Sequence, residues 1–102
     1  MAKNIYDKSK IELYRTHPEL AHAAINSYLN ENDQAGALIT LRYLAQSQGG
    51  MLQLAQDAKL NATQIYRTLS ENGNPSLSNW CAILQALGLQ MAIKKLPTRE
   101  DR

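Results

Sequence analysis

The stretch LQLAQDAKLNATQIYRTLS, Leu52 to Ser70, decides how this chain is read. Apolar residues recur at helical spacing in both halves, and the capping pattern Asn61-x-x-Gln64 marks where the second half starts. The stretch therefore predicts two short helices joined by a tight turn. Ala55 is small, as needed where the first helix passes under the second. Leu60 plugs the turn. Ile65 and Leu69 lie four apart and bury the inner face of the second helix. Ala62, Thr63, Tyr66 and Arg67 are then left for its outer face. This is the residue plan of a helix-turn-helix, whose second helix enters the DNA major groove.

The polar choices suit that task. Arg67 can pair bidentately with a guanine edge, Thr63 can meet a base edge or a thymine methyl, and Gln64 can read adenine. Helix N-termini near Met51 and Asn61 can aim backbone N–H groups at phosphates. Lys59 stands where many such turns place glycine, because the turn can demand a left-handed backbone. Lysine there costs roughly 1 kcal/mol, which a phosphate contact can offset. Tyr66 can stack at the DNA surface or lean on a neighbouring helix.

Outward from this unit the pattern stays helical. Ser9-x-x-Glu12 predicts a capped helix carrying Ile11 and Leu13 and ending near Arg15. Thr16-x-x-Glu19, with Pro18 in the first turn, predicts a second helix to about Asn30. Asp33 is the expected cap of a helix from Gln34 to about Gln48, with a stripe of Leu38, Leu41 and Ala45 widened by Ala37 and Leu44. Gly49-Gly50 ends it, and a helix from Met51 to Ala58 follows. The helix after Asn61 should reach about Ser70. Glu71-Asn72-Gly73-Asn74-Pro75 is a turn. Ser78 is the expected cap of a helix with Trp80, Ile83, Leu84 and Leu87, stopped by Gly88. Leu89, Met91 and Ile93 then alternate, which predicts a short strand from Leu89 to Leu96, ended by Pro97.

The fold class expected is all-α: five to six short helices around a lambda-repressor-like helix-turn-helix, with a short C-terminal β-strand used for dimerisation. Residues 1–25 read as an N-terminal helical extension, 26–96 as the DNA-binding domain with its dimerisation strand, and 97–102 as a charged tail.

The chain has 102 residues, enough for one domain and too few for two good cores. Its 44% hydrophobic and 20% charged residues are globular in kind and exclude a disordered chain. One cysteine cannot form an intrachain disulfide, and no apolar run reaches membrane-spanning length, so a cytoplasmic location is expected. The net charge of +2 excludes a polybasic nucleic-acid binder. Between Met51 and Pro75, Asp57 and Glu71 balance Lys59 and Arg67, so the reading unit is neutral. One copy should bind DNA weakly, and two half-sites read by a dimer would raise affinity. A lone strand also needs a partner, and pairing with its copy is the simplest repair. The expected dimer interface is Trp80, Leu84, Leu87, Leu89, Met91 and Ile93.

Asn26 to Leu96 resembles the HigA-like addiction-module antidote proteins (antitoxins) of the Cro/C1 (XRE) helix-turn-helix class. The resemblance rests on ALITLRYLAQSQGGMLQLAQDAKLNATQIYRTLSENGNPSLSNWCAILQALGLQMAI, Ala37 to Ile93. Its details are Gly50-Met51 before the reading unit, Ile65-Tyr66-Arg67 with Leu69-Ser70 within it, Asn72-Gly73-Asn74-Pro75 after it, and the close Ala86-Leu87-Gly88-Leu89. It implies a dimeric transcriptional repressor of its own operon that neutralises a RelE/HigB-like ribonuclease toxin by direct binding. It also places Ala62, Thr63, Tyr66 and Arg67 on the DNA-reading face, Asn61 at its cap and Asn74 toward the backbone. With Gln53, Lys59 and Gln64 these form the candidate DNA-binding set. A stand-alone prophage or plasmid regulator without a toxin partner shares the same fold and remains the alternative.

No catalytic, cofactor or metal constellation is expected. Cys81 sits in an apolar helix without a nearby histidine and reads as helix packing or an interface. His17 and His22 are five apart and lack further ligands. Trp80 reads as core or interface. Lys94 and Lys95 read as edge guards or solvated charge, and Arg15 and Arg42 as surface charge.

Overall fold

The computed structural model describes residues 7–97. It contains six helices there: α1 (Lys8–Thr16), α2 (Pro18–Asn30), α3 (Gln34–Ser47), α4 (Met51–Ala58), α5 (Ala62–Thr68) and α6 (Leu77–Ala86). The all-helical expectation holds. The strand does not: among the described residues none is in a strand, and Leu89 to Pro97 is irregular. The reason is local. The Leu89 N–H donates to the Leu84 carbonyl at 2.8 Å, closing the end of α6, and Met91 lies back against Cys81, sulfur to sulfur at 3.8 Å. Ile93 is 98% exposed, so the alternating residues share no buried face, and the described residues offer no sheet edge for them to pair with. The expected charged tail lies from Thr98 onward outside the described residues.

Three caps also differ from their sequence signals. Asp7, not Ser9, caps α1, accepting from the Ser9 and Lys10 N–H groups. A bond from Ser9 Oγ at 2.6 Å holds the Asp7 carboxyl below its ordinary value. His17 precedes α2 without a side-chain cap, because Pro18 needs no donor satisfied at the first position. Thr16 turns its hydroxyl back to the Leu13 carbonyl instead. Ser76, two residues earlier than expected, caps α6 through the Asn79 N–H at 3.0 Å. The other punctuation is as read. Asp33 accepts from the Gly36 N–H at 2.8 Å, Gly49 and Gly50 both have positive φ, and Asn61 accepts from the Gln64 N–H.

α3 is the axis of the molecule. Every residue from Gly36 to Ala45 is buried, not only the expected stripe. A helix apolar on all sides needs cover on all sides. α1 and α2 pack on it from one direction, with Tyr14, Ala21 and Ile25 buried, while α4 begins at its C-terminal end. α4 in turn packs on α5 and α6. Ile65, Leu69 and Ile83 join Leu38, Leu41 and Leu44 as the largest fully buried side chains. Leu13 on α1 and Leu20 and Leu29 on α2 stay exposed.

Gly36 is what lets α2 lie so close. A methyl group there would come within 2.5 Å of the Tyr28 ring. Gly73 serves the same end beside α5: a Cβ would overlap the Thr68 carbonyl oxygen, so the turn after α5 can fold tightly under it. Gln34 holds that turn from α3, donating to the Gly73 carbonyl at 2.9 Å.

Candidate nucleic-acid interface

α4 and α5 form the expected pair of helices around a sharp turn. Lys59 takes the left-handed conformation, φ 58 and ψ 43, that the turn requires. Its side chain is exposed. The Leu60 N–H donates to the Ala55 carbonyl at 2.9 Å, and the half-buried Leu60 side chain packs on the core. Ala55 is buried at the crossing, and Ile65 and Leu69 are fully buried beneath α5.

Removing those inner positions leaves one outward row. Asn61, Thr63, Gln64 and Arg67 are exposed, Tyr66 is 40% exposed and Ala62 is half-buried. Asn61 spends its side-chain oxygen on the cap. Two of the expected set stand apart from α5. Gln53 is exposed on α4, where its amide donates to Asp57 at 2.9 Å, and exposed Asn74 lies in the turn after α5, 3.5 Å from the Gln34 amide. The remaining candidates separate in the same way. His17 stands 3.3 Å from Glu19 on the surface. Leu84 is buried within the single chain, whereas Trp80, Leu87 and Leu89 are half-buried and Met91 and Ile93 exposed.

Arg42 overturns its sequence reading as surface charge. It is only 4% exposed. From α3 its guanidinium reaches across to the end of α5, where one terminal nitrogen donates to the Tyr66 carbonyl at 3.2 Å and the Leu69 carbonyl at 3.1 Å. Its central carbon also lies 5.1 Å from the Tyr66 ring centre, within cation–π range. A buried charge must find partners, and the C-terminal carbonyls of a helix carry partial negative charge. Arg42 is the only charged residue from Gln34 to Ser47, which singles it out in the sequence without identifying the acceptors that let it be buried.

The fold and this surface thus define a small all-helical protein in which α4 and α5 meet at a sharp turn and α5 carries an outward polar row. The family profile described as "Probable addiction module antidote protein" matches residues 7–95, and the chain belongs to that family. The chain is also similar to an uncharacterised protein of Haemophilus influenzae, 26% identical over 95 residues that cover 93% of this chain and 87% of that protein. No solved structure matches the chain at a significant score. Membership in an antidote family points to a non-enzymatic, regulatory antitoxin role, with a toxin as the general kind of partner. No helix among the described residues is long and apolar enough to cross a membrane.

Proposed function

We propose that this protein is a DNA-binding antitoxin of the Cro/C1 (XRE), HigA-like kind, a dimeric repressor of its own operon that neutralises a RelE/HigB-like toxin by direct contact. The observation that carries the DNA part is the α4–α5 pair. A left-handed Lys59 sets the angle, Ile65 and Leu69 are committed to the core, and Thr63, Gln64, Tyr66 and Arg67 are left facing out. Paired copies of α5 would occupy successive major-groove faces about one DNA turn apart. A mobility shift with the DNA preceding its own reading frame tests this. Arg67→Ala should lose about 1–3 kcal/mol of specific binding. Unchanged affinity in that variant removes Arg67 from the interface.

The dimer is supported by the apolar side chains left open after α6. Met91 and Ile93 are exposed, Trp80, Leu87 and Leu89 are only half-buried, and apolar side chains left open in this way are available to a second copy. Ile93→Asp alters no packing within one chain, so in the full-length protein it should shift sedimentation from dimer to monomer. A variant that sediments as the native dimer excludes this segment. We place the toxin surface among the residues before Gln34, where Leu13 and Leu20 are exposed. Copurification from cells expressing the native operon would show whether a toxin is bound.

A further inference from the structure

We infer that Arg42, which belongs to neither helix of the reading pair, is the residue that positions the recognition surface: it sets the end of α5 and the plane of the Tyr66 ring. The inference rests on the reading of α5 as the DNA-contacting helix. α5 runs only from Ala62 to Thr68, far short of the roughly 12–15 residues at which an isolated helix becomes even marginally stable. Its geometry therefore has to come from outside. The Asn61 cap fixes its start and the buried Ile65 and Leu69 fix its inner face. The Leu69 N–H closes the last turn on the Ile65 carbonyl at 3.0 Å, but none of these ties the carbonyls of that turn to the body of the molecule or sets where Tyr66 points. Arg42 supplies both constraints with one group. Its bonds to the Tyr66 and Leu69 carbonyls clamp the last turn, and its charge sits against the ring.

Burial separates this role from a direct contact. At 4% exposure the guanidinium cannot reach a phosphate or a base edge. Tyr66, by contrast, is part of the open row and is followed directly by Arg67. A shift of the last turn would move both side chains together.

The test compares the full-length protein with Arg42→Met, Arg42→Lys, Tyr66→Leu and the Arg42→Lys/Tyr66→Leu double variant, at a temperature where circular dichroism shows each one folded. The probes are the duplex preceding its own reading frame and a scrambled duplex of equal composition, each titrated over a range of salt. Arg42→Met should bind the specific duplex about five- to a hundredfold more weakly, the scale of a misplaced base contact, while its affinity for the scrambled duplex and its salt slope stay unchanged. Arg42→Lys should restore part of the preference. Its remaining loss should shrink in the Tyr66→Leu background, since both changes disturb one unit. Undiminished discrimination in folded Arg42→Met overturns the inference. So does a weaker salt dependence, which would make Arg42 a phosphate contact. If Arg42→Met does not fold, additive losses in Arg42→Lys and Tyr66→Leu overturn it in its place. A native protein with no preference between the duplexes instead overturns the reading of α5 itself.

Discussion

Lys59 shows how a single residue records a conflict between backbone and function. Its φ of 58 is a region that non-glycine residues enter at a cost, and the turn between α4 and α5 needs it. Lys59→Gly removes that cost and should raise stability by up to about 1 kcal/mol in chemical denaturation. The same change should lower the salt slope of DNA binding by about one if the exposed ammonium touches a phosphate. A stabilised variant with an unchanged slope would make Lys59 a turn residue only. The conformation at this position was legible in the sequence, because tight turns have few backbone solutions. The place of Arg42 was not. A charge in an uncharged helix signals burial only when an acceptor is known to lie opposite, and that acceptor is the end of a helix more than twenty positions along the chain.

At the scale of elements, helix boundaries were the most legible feature. α3 and α4 begin where Asp33 and Gly49-Gly50 place them, and α4 ends at the expected Ala58. Caps were less so, because several Ser, Thr and Asp residues near a helix start compete for the same N–H groups. Asp7 outcompetes Ser9 as a charged acceptor, and Ser76 precedes Ser78 once Pro75 has set the entry. How two helices meet was not legible at all. Gly36 costs α3 helix propensity, yet it is the seat of the Tyr28 ring. Gly36→Ala gains up to about 1 kcal/mol of helix propensity but overpacks the α2–α3 contact at a cost of about 1–3 kcal/mol. With the ring only 2.5 Å from the added methyl group, the steric term should win, and the melting temperature should fall. A variant at least as stable as the native chain would mean that Tyr28 moves aside freely.

For the whole molecule, the core is one body wrapped around α3, and its tyrosines give it a pH dependence. Tyr14 and Tyr43 are buried, and burial, with added charge from neighbours, pushes both hydroxyls above their ordinary value. A raised folded value means that the folded state keeps its protons where the unfolded chain has lost them. Stability is therefore full below pH about 10 and falls as pH rises through the folded values. Denaturation midpoints measured on either side of pH about 10 should show that decline, and Tyr14→Phe should flatten it. A midpoint that does not move with alkaline pH would mean that these hydroxyls stay solvated.

The sequence by itself determined the helical class, most element boundaries and the division of α5 into buried and outward residues. All of these follow from local spacing, caps and backbone preferences. The strand after Gly88 marks the limit of that logic, since alternation makes a strand only where a sheet edge receives it, and none does among the described residues. Only the tertiary structure decided that α3 is buried on every side, that Leu13, Leu20 and Leu29 face outward and that Arg42 grips the end of α5. Those outcomes depend on which surfaces and acceptors meet across long stretches of chain, and no local pattern encodes that meeting.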